Sequence, residues 1–313
     1  MLRLAAIDIG SNTIRLLVAD ADPEAGIRPV HGEQRIVRLG AGLAESGKLA
    51  PESVDRAVAV VREYRDRART HGAERVIAVA TAAVREAANR EELVDRLTTG
   101  VGLAPRVVSG DEEARLTLLG AVWGLPAVAS PFCLLDIGGG STELLVARGA
   151  RPLAGVSLRL GVVSLVERFL HEDPVDWAEY TACAGYAADR LAAEAWPAIR
   201  PLGPRALMGT AGTITTLAAL DLGLAAYDPA RVQGHRLTEE AIRALLVRLG
   251  ALHIAERARL PCLEPGRADL VIPGIAIALA VTEGLGLGEL TVSDTGLREG
   301  ILLDAIGWTA SVP

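Results

Sequence analysis

The chain is expected to fold as two duplicated α/β domains, and three observations carry that expectation. Leu134-Leu135-Asp136-Ile137-Gly138-Gly139-Gly140-Ser141-Thr142-Glu143-Leu144-Leu145-Val146 puts an acid, three glycines and two hydroxyls between apolar runs, which reads as strand, tight turn and strand. The start of the chain repeats it. Setting Asp8-Ile9-Gly10-Ser11-Asn12-Thr13-Ile14-Arg15-Leu16-Leu17-Val18-Ala19 under Asp136 to Ala147 gives seven identities in twelve positions without a gap. In both halves a third strand and then alternating helices and strands follow the hairpin, the pattern of a layered α/β fold. Two related hairpins, each opening half of the chain, imply domains at 1–124 and 125–313 that face each other across a cleft.

The first half justifies its elements in turn. Leu4–Ile9 and Ile14–Asp20 make the first hairpin, and the region from Ile27 to Leu39 supplies a third strand. From Ser53 to His71, Val and Ala recur at helical spacing against Arg, Glu and Asp, with Pro51 near the start and Gly72 at the end. Val76–Ala80 is a short buried strand that runs into Thr81-Ala82-Ala83-Val84-Arg85. A helix starting there would expose N–H and hydroxyl groups, and Arg85 one turn in could fold over an anion. Arg106–Val108 is a further strand, followed by Ser109-Gly110-Asp111-Glu112-Glu113-Ala114-Arg115 and an apolar helix. Three acids at a helix N-terminus suit the helix dipole. Any one of them could equally be a general base, and sequence position does not choose among them.

In the second half, Phe132–Asp136, Glu143–Ala147 and Arg151–Ser157 read as strands, and Gly161–Leu170 and Val175–Ala195 as helices. Arg205 to Thr213 is again a strand entering a glycine and hydroxyl turn, with Ile214–Leu222 as the helix behind it. Helices follow at Glu239–Gly250 and from Arg267 to Glu283, the latter with a kink expected at Pro273-Gly274. Glu289–Ser293 is the last strand and Leu297–Ile306 the closing helix. Both halves together give an α/β architecture of the actin and sugar-kinase type.

Composition bounds the function classes. At 313 residues, 50% hydrophobic and 23% charged, the chain can build two substantial cores. A net charge of −7 gives no global attraction for nucleic acid or an anionic membrane, so a polyanion must be held by local arginines, backbone N–H groups and a metal. Lys48 is the only lysine, and arginine suits bidentate phosphate recognition. Cys133, Cys183 and Cys262 form neither a disulfide framework nor a zinc spacing and read as thiols of a reducing cytosol. The histidines make no paired ligand motif, which leaves the chemistry to carboxylates. Asp8 interrupts the first apolar run, so no export signal is expected and the location is cytoplasmic. Residues 116–135 carry no charge, yet Gly120, Gly124, Pro126, Ser130 and Pro131 divide them into helix end, loop and strand, the domain junction rather than a membrane span.

The central turn points to phosphate chemistry. Glycines without Cβ let backbone N–H groups close on phosphate oxygens. Asp136, beside such an anion site, makes chemical sense as a metal ligand or water positioner.

The motifs Asp8-Ile-Gly-Ser-Asn, Thr81-x-x-x-Arg85, Ser109-Gly-x-Glu-Glu-Ala-Arg115, Asp136-Ile-Gly-Gly-Gly-Ser-Thr-Glu143, Gly209-x-x-Gly-Thr213 and Leu297-Arg-Glu-Gly300 together resemble the exopolyphosphatase and guanosine pentaphosphate phosphohydrolase (Ppx/GppA) family, in its order and from residue 8 to 300. The resemblance implies the acetate and sugar kinase, Hsc70 and actin fold, related to ribonuclease H. It also implies Mg²⁺-dependent hydrolysis of terminal phosphoryl groups in the interdomain cleft, Mn²⁺ being an alternative, and it assigns Glu113 as the base. Asp136 and Glu143, with Asp8 in support, become the metal and water positioners. Ser11, Asn12 and Arg15 would grip phosphate from the first hairpin and Gly138, Gly139, Gly140, Ser141 and Thr142 from the second. Gly209, Gly212 and Thr213 would line the place of a nucleotide in related folds. Arg298 and Glu299 read as a helix-capping ion pair. The best-known members carry a further helical domain beyond the end of this sequence, so short polyphosphates and distributive action are expected. Guanosine pentaphosphate is the alternative substrate. A weakly hydrolytic, actin-like nucleotide-binding module is a reading of another class, disfavoured by the intact Glu113 motif, and a homodimer is compatible with the family.

Overall fold

The computed structural model of the protein describes residues 1–125 and 128–309. Pro126, expected to break the junction, lies outside the described residues. The chain forms two compact units: Met1–Trp123 with the described residues from Gly296 onward, and Gly124–Thr295.

In the first unit, strands β1 (Leu2–Ile9), β2 (Thr13–Asp22), β3 (Gly26–Ile36), β4 (Arg75–Ala80) and β5 (Arg106–Val107) form a sheet in the order β3-β2-β1-β4-β5. The second unit holds β6 (Phe132–Ile137), β7 (Thr142–Arg148), β8 (Arg151–Leu158), β9 (Ala206–Thr210), β10 (Arg236–Thr238) and β11 (Glu289–Val292), ordered β10-β11-β9-β6-β7-β8. Read from β8, the second order repeats the first, with β10 added as an antiparallel edge. The repeat extends to detail. The pairings β2–β3 and β7–β8 shift register at the equivalent place, Val18/Ala19 and Val146/Ala147.

The central strands β1 and β6 are buried on both faces, which is why they are continuous apolar runs rather than alternating ones. In the first unit, one face of the sheet carries the helix Pro51–Thr70, whose Val54, Ala57, Val58, Val61 and Tyr64 point into a core with Ile7, Ile9 and Leu16. Proline at the first helical positions needs no N–H there. The helix Val271–Leu285 is apolar nearly all round because it lies inside the second core. No kink at Pro273 is needed. The helix starts at Val271, so the ring falls in the first turn, where a missing N–H costs no bond.

One expectation is corrected. The reading of 125–313 as a single domain does not hold for the closing helix Leu297–Ala305: its Ile301, Leu302 and Leu303 pack with Leu4, Ala6, Leu17 and Ala19 on the opposite face of the first sheet. Glycines permit the contact with the helix Gly110–Gly124. A Cβ on Gly120 would stand 1.9 Å from the Gly296 carbonyl oxygen, and one on Gly300 would stand 1.8 Å from that of Leu116. Among the described residues no helix is long and apolar enough to cross a membrane.

Candidate active site

In each unit the named residues gather where the parallel strands end at their carboxyl edge, the usual place for ligands on open α/β sheets. In the first unit β1 runs parallel to β4 and β4 to β5, and the three end at Ile9, Ala80 and Val107. Beyond β1 the Gly10 N–H donates to the Thr13 carbonyl at 3.1 Å, closing a turn in which Ser11 and Asn12 are buried. Residues 37–40 brace it: Val37 and Arg38 N–H both donate to the Asn12 carbonyl at 2.9 Å, and Gly40 N–H to that of Ser11 at 2.8 Å. Arg38 holds a left-handed φ of 52°, a strained conformation for a residue with a Cβ.

Ser11 is already engaged. Its Oγ accepts from the Ala83 N–H at 3.2 Å, which ties the turn to the helix Ala82–Glu86. That helix has five residues, so the anion site expected at its N-terminus is a single turn whose donors are partly taken. Arg85 does not fold back over it. Its Nη1 donates to Glu113 Oε2 at 2.7 Å and to the Val108 carbonyl at 3.1 Å. Position in the fold now separates the three acids. Asp111 is exposed, Glu112 pairs with Arg106 at 2.8 Å, and Glu113 is buried against Arg85.

Asp8 faces Arg15 across β1 and β2, with Arg15 Nη1 3.7 Å from Oδ2. Burial pushes the Asp8 carboxyl above the ordinary range, while Arg15 and Arg298 pull it down and Glu299 pushes it up. Its Oδ1 and the Oδ1 of Asn12 are buried without a hydrogen-bond partner. Arg298 and Glu299 do more than the capping pair expected of them. Glu299 accepts from the Gly296 N–H at 2.8 Å and lies 3.5 Å from Arg298, and both also act on Asp8 through their charge.

In the second unit the equivalent turn keeps the same closing bond, Gly138 N–H to the Ser141 carbonyl at 2.9 Å. Gly138, Gly139 and Gly140 are partly exposed, and with the Gly138 N–H spent on closing the turn it is Gly139 and Gly140 whose N–H groups can meet a ligand. Behind them, Val162 and Val163 N–H donate to the Gly138 and Gly139 carbonyls, and a Cβ on Gly161 would lie 2.2 Å from the Gly139 oxygen. Asp136 stands opposite Glu143, at the register position that Asp8 and Arg15 hold in the first hairpin. Glu143 is buried and accepts from Ser157 Oγ at 2.7 Å.

Several expected contacts are structural. Thr142 is fully buried and donates to the Leu160 carbonyl, and Thr213 Oγ1 donates to that of Ile137 at 3.0 Å. Ser141 is buried in the turn. Gly209 lies inside β9, where a Cβ would meet Ile214 and Leu290 at 3.0 Å. Gly212 is partly exposed, while the strained residue of that turn is its neighbour Ala211, with φ of 67°. Ser157, Gly161, Arg38 and Ala211 are the residues that motif reading passes over. Only the register of β7 against β8 brings Ser157 opposite Glu143.

The residues suit a hard divalent cation. Carboxylate oxygens are the donors Mg²⁺ prefers, and the orphaned, buried Asp8 Oδ1 calls for a positive partner. Among the described residues no three His, Cys, Asp or Glu side chains form a cluster that would hold a metal on their own. Asp136 and Glu143 belong to the second unit and Asp8 to the first.

Comparison with known proteins bears on family and fold. A model of the Ppx/GppA phosphatase family matches residues 17–307. The chain is 38% identical over 320 residues to exopolyphosphatase 2 of Mycobacterium tuberculosis, covering 97% of this chain and 99% of that protein. It superposes on an exopolyphosphatase from Cytophaga hutchinsonii with a TM-score of 0.90 at 28% identity, covering 99% of this chain and 100% of the other. The Ppx/GppA enzyme of Aquifex aeolicus gives 0.80 at 34% identity, covering 97% and 99%. The two mixed-sheet units form the duplicated α/β architecture expected from the sequence.

Proposed function

Because the chain belongs to the Ppx/GppA phosphatase family and so is a hydrolase, we propose that it removes terminal phosphoryl groups from inorganic polyphosphate with Mg²⁺ or Mn²⁺, and that it favours short chains. The burial of Glu113 beside Arg85, at the sheet edge that also carries the Ser11-Asn12 turn, supports this reading most directly.

The proposed reaction is an in-line attack by water. As the water oxygen bonds to the terminal phosphorus, Glu113 takes its proton. The bridging P–O bond breaks and its electron pair leaves on the shortened chain; the proton then returns to solvent or to phosphate. Arg85, Arg15 and the N–H groups of Gly139 and Gly140 meet charge on the equatorial oxygens. Asp136 and Glu143 would hold a cation that neutralises phosphate charge and orients the substrate, and Asp8 is the acid of the first unit proposed to support it.

Short chains are favoured on charge grounds. A long polyanion gains from each cationic site it meets, while the chain carries a net −7 and its hairpin arginine is Arg15. The three free cysteines suit a cytosolic setting.

The test is phosphate release from tripolyphosphate, long polyphosphate, guanosine pentaphosphate and ATP, side by side with Mg²⁺. Polyphosphate should be the fastest substrate. Glu113→Gln should lose roughly 10²–10⁴-fold in turnover, the usual contribution of a positioned base, and still bind substrate. Faster release from guanosine pentaphosphate would assign the nucleotide instead, and an undiminished Glu113→Gln would move the base elsewhere.

A further inference from the structure

The contact between Arg85 and Glu113 joins the residue proposed to bind phosphate to the one proposed to accept a proton. The guanidinium's Nη1 is shared between Glu113 Oε2 at 2.7 Å and the Val108 carbonyl at 3.1 Å. The backbones that carry both side chains are fixed to one sheet edge. The Thr81 N–H donates to the Ile9 carbonyl, Ala83 N–H to Ser11 Oγ, Val108 N–H to the Ala80 carbonyl, and Glu113 N–H to the Ser109 carbonyl. The side chains retain 20% exposure for Arg85 and 9% for Glu113, so a ligand reaches the guanidinium more readily than the carboxylate.

We propose that Arg85 is a gate on the base: without substrate it is bound to Glu113, and a terminal phosphoryl group draws it away, which frees the Glu113 oxygen for the attacking water. The inference rests on the reading of Glu113 and Arg85 under the proposed function and adds how the site is regulated. A phosphoryl dianion and a carboxylate compete for the same donor, and the dianion offers more charge and more acceptor oxygens. A bound phosphoryl group therefore releases the Glu113 oxygen that Arg85 holds. Orthophosphate, the product, has the chemistry to hold the gate open and thus to bind as a competitor.

The test is a double-mutant cycle read by binding, not by turnover. Calorimetry with tripolyphosphate, on the full chain without metal, compares wild type, Glu113→Gln, Arg85→Gln and the double variant. Removing the competing carboxylate should tighten binding about tenfold, the scale of one charge-assisted hydrogen bond. In the Arg85→Gln background the same substitution should change affinity by less than about twofold. Equal tightening in both backgrounds would mean simple repulsion between carboxylate and phosphate, and no tightening would mean that the two do not compete; either overturns the gate. Glu112→Gln, next to Glu113 but paired with Arg106, should give no comparable gain. If Arg85→Gln unfolds, Arg85→Lys serves: it keeps the charge and loses the fork, so the gain from Glu113→Gln should shrink without vanishing. Wild type that binds no tripolyphosphate even after Mg²⁺ is added would instead overturn the proposed function beneath the gate.

Discussion

Asp8 carries a burial cost that its proposed role as a cation ligand would explain. Its carboxyl is buried with one oxygen unpartnered, and burial holds its proton affinity above the unfolded value. The native state therefore favours the protonated form. The penalty is absent in acid and grows as pH rises through the unfolded pKa of about 3.9 to the raised folded value. Metal-free Asp8→Asn is expected to melt higher than wild type near neutral pH, by roughly 2–4 °C per kcal/mol relieved, while losing activity. The difference should close as pH falls toward 4. A wild type that melts as high as the variant at pH 7 would show that Arg15 and Arg298 already compensate the charge. Asp136 makes a second comparison. Asp136→Ala should damage turnover far more than Asp111→Ala, because Asp136 opposes Glu143 beside the glycine turn proposed to bind phosphate whereas Asp111 is exposed; the opposite ranking would put the cation at another carboxylate.

At the scale of elements, close approach through glycine decides more than propensity does. Gly300→Ala would push a methyl to within 1.8 Å of the Leu116 carbonyl oxygen. Separating the helices Gly110–Gly124 and Leu297–Ala305 should cost roughly 1–3 kcal/mol or more, read as a lower midpoint in denaturant. Gly185→Ala is the matched control. Its Cβ would meet no atom within 4 Å in the middle of the helix Trp177–Glu194, so it should stabilise by about 0.5–1 kcal/mol. Gly161→Ala should behave differently from both. Its Cβ would press on the Gly139 carbonyl behind the glycine turn proposed to bind phosphate, so phosphate release should fall by more than the change in melting temperature suggests. Equal loss in Gly161→Ala and Gly300→Ala would mean that the turn tolerates displacement.

On the scale of the molecule, charge sets the expected mode of action. With a net charge of −7, attraction for a polyanion is local, from arginines such as Arg15 and Arg85. Product ladders on a sizing gel should show the whole polyphosphate population shortening together. Full-length chains persisting beside monophosphate would show that a further surface holds the polymer. Hydrolysis should also stop with a chelator and return with Mg²⁺ or Mn²⁺. Release that is unchanged in excess chelator would remove the metal from the mechanism.

The sequence by itself determined the duplicated hairpins, because the acid, the turn glycine and the apolar runs are local chemical requirements that recur at Asp8 and Asp136 in the same order. It also determined the helix Pro51–Thr70, whose apolar spacing and initial proline need no distant partner. Tertiary structure alone decided the rest. Which of Asp111, Glu112 and Glu113 is buried depends on Arg106 and Arg85 arriving from other elements. That Thr142 and Thr213 serve backbone carbonyls rather than solvent depends on Leu160 and Ile137. The return of Leu297–Ala305 to the first unit rests on Gly120 and Gly300 meeting chain 180 positions or so away, a fit between backbone surfaces that composition and periodicity do not record.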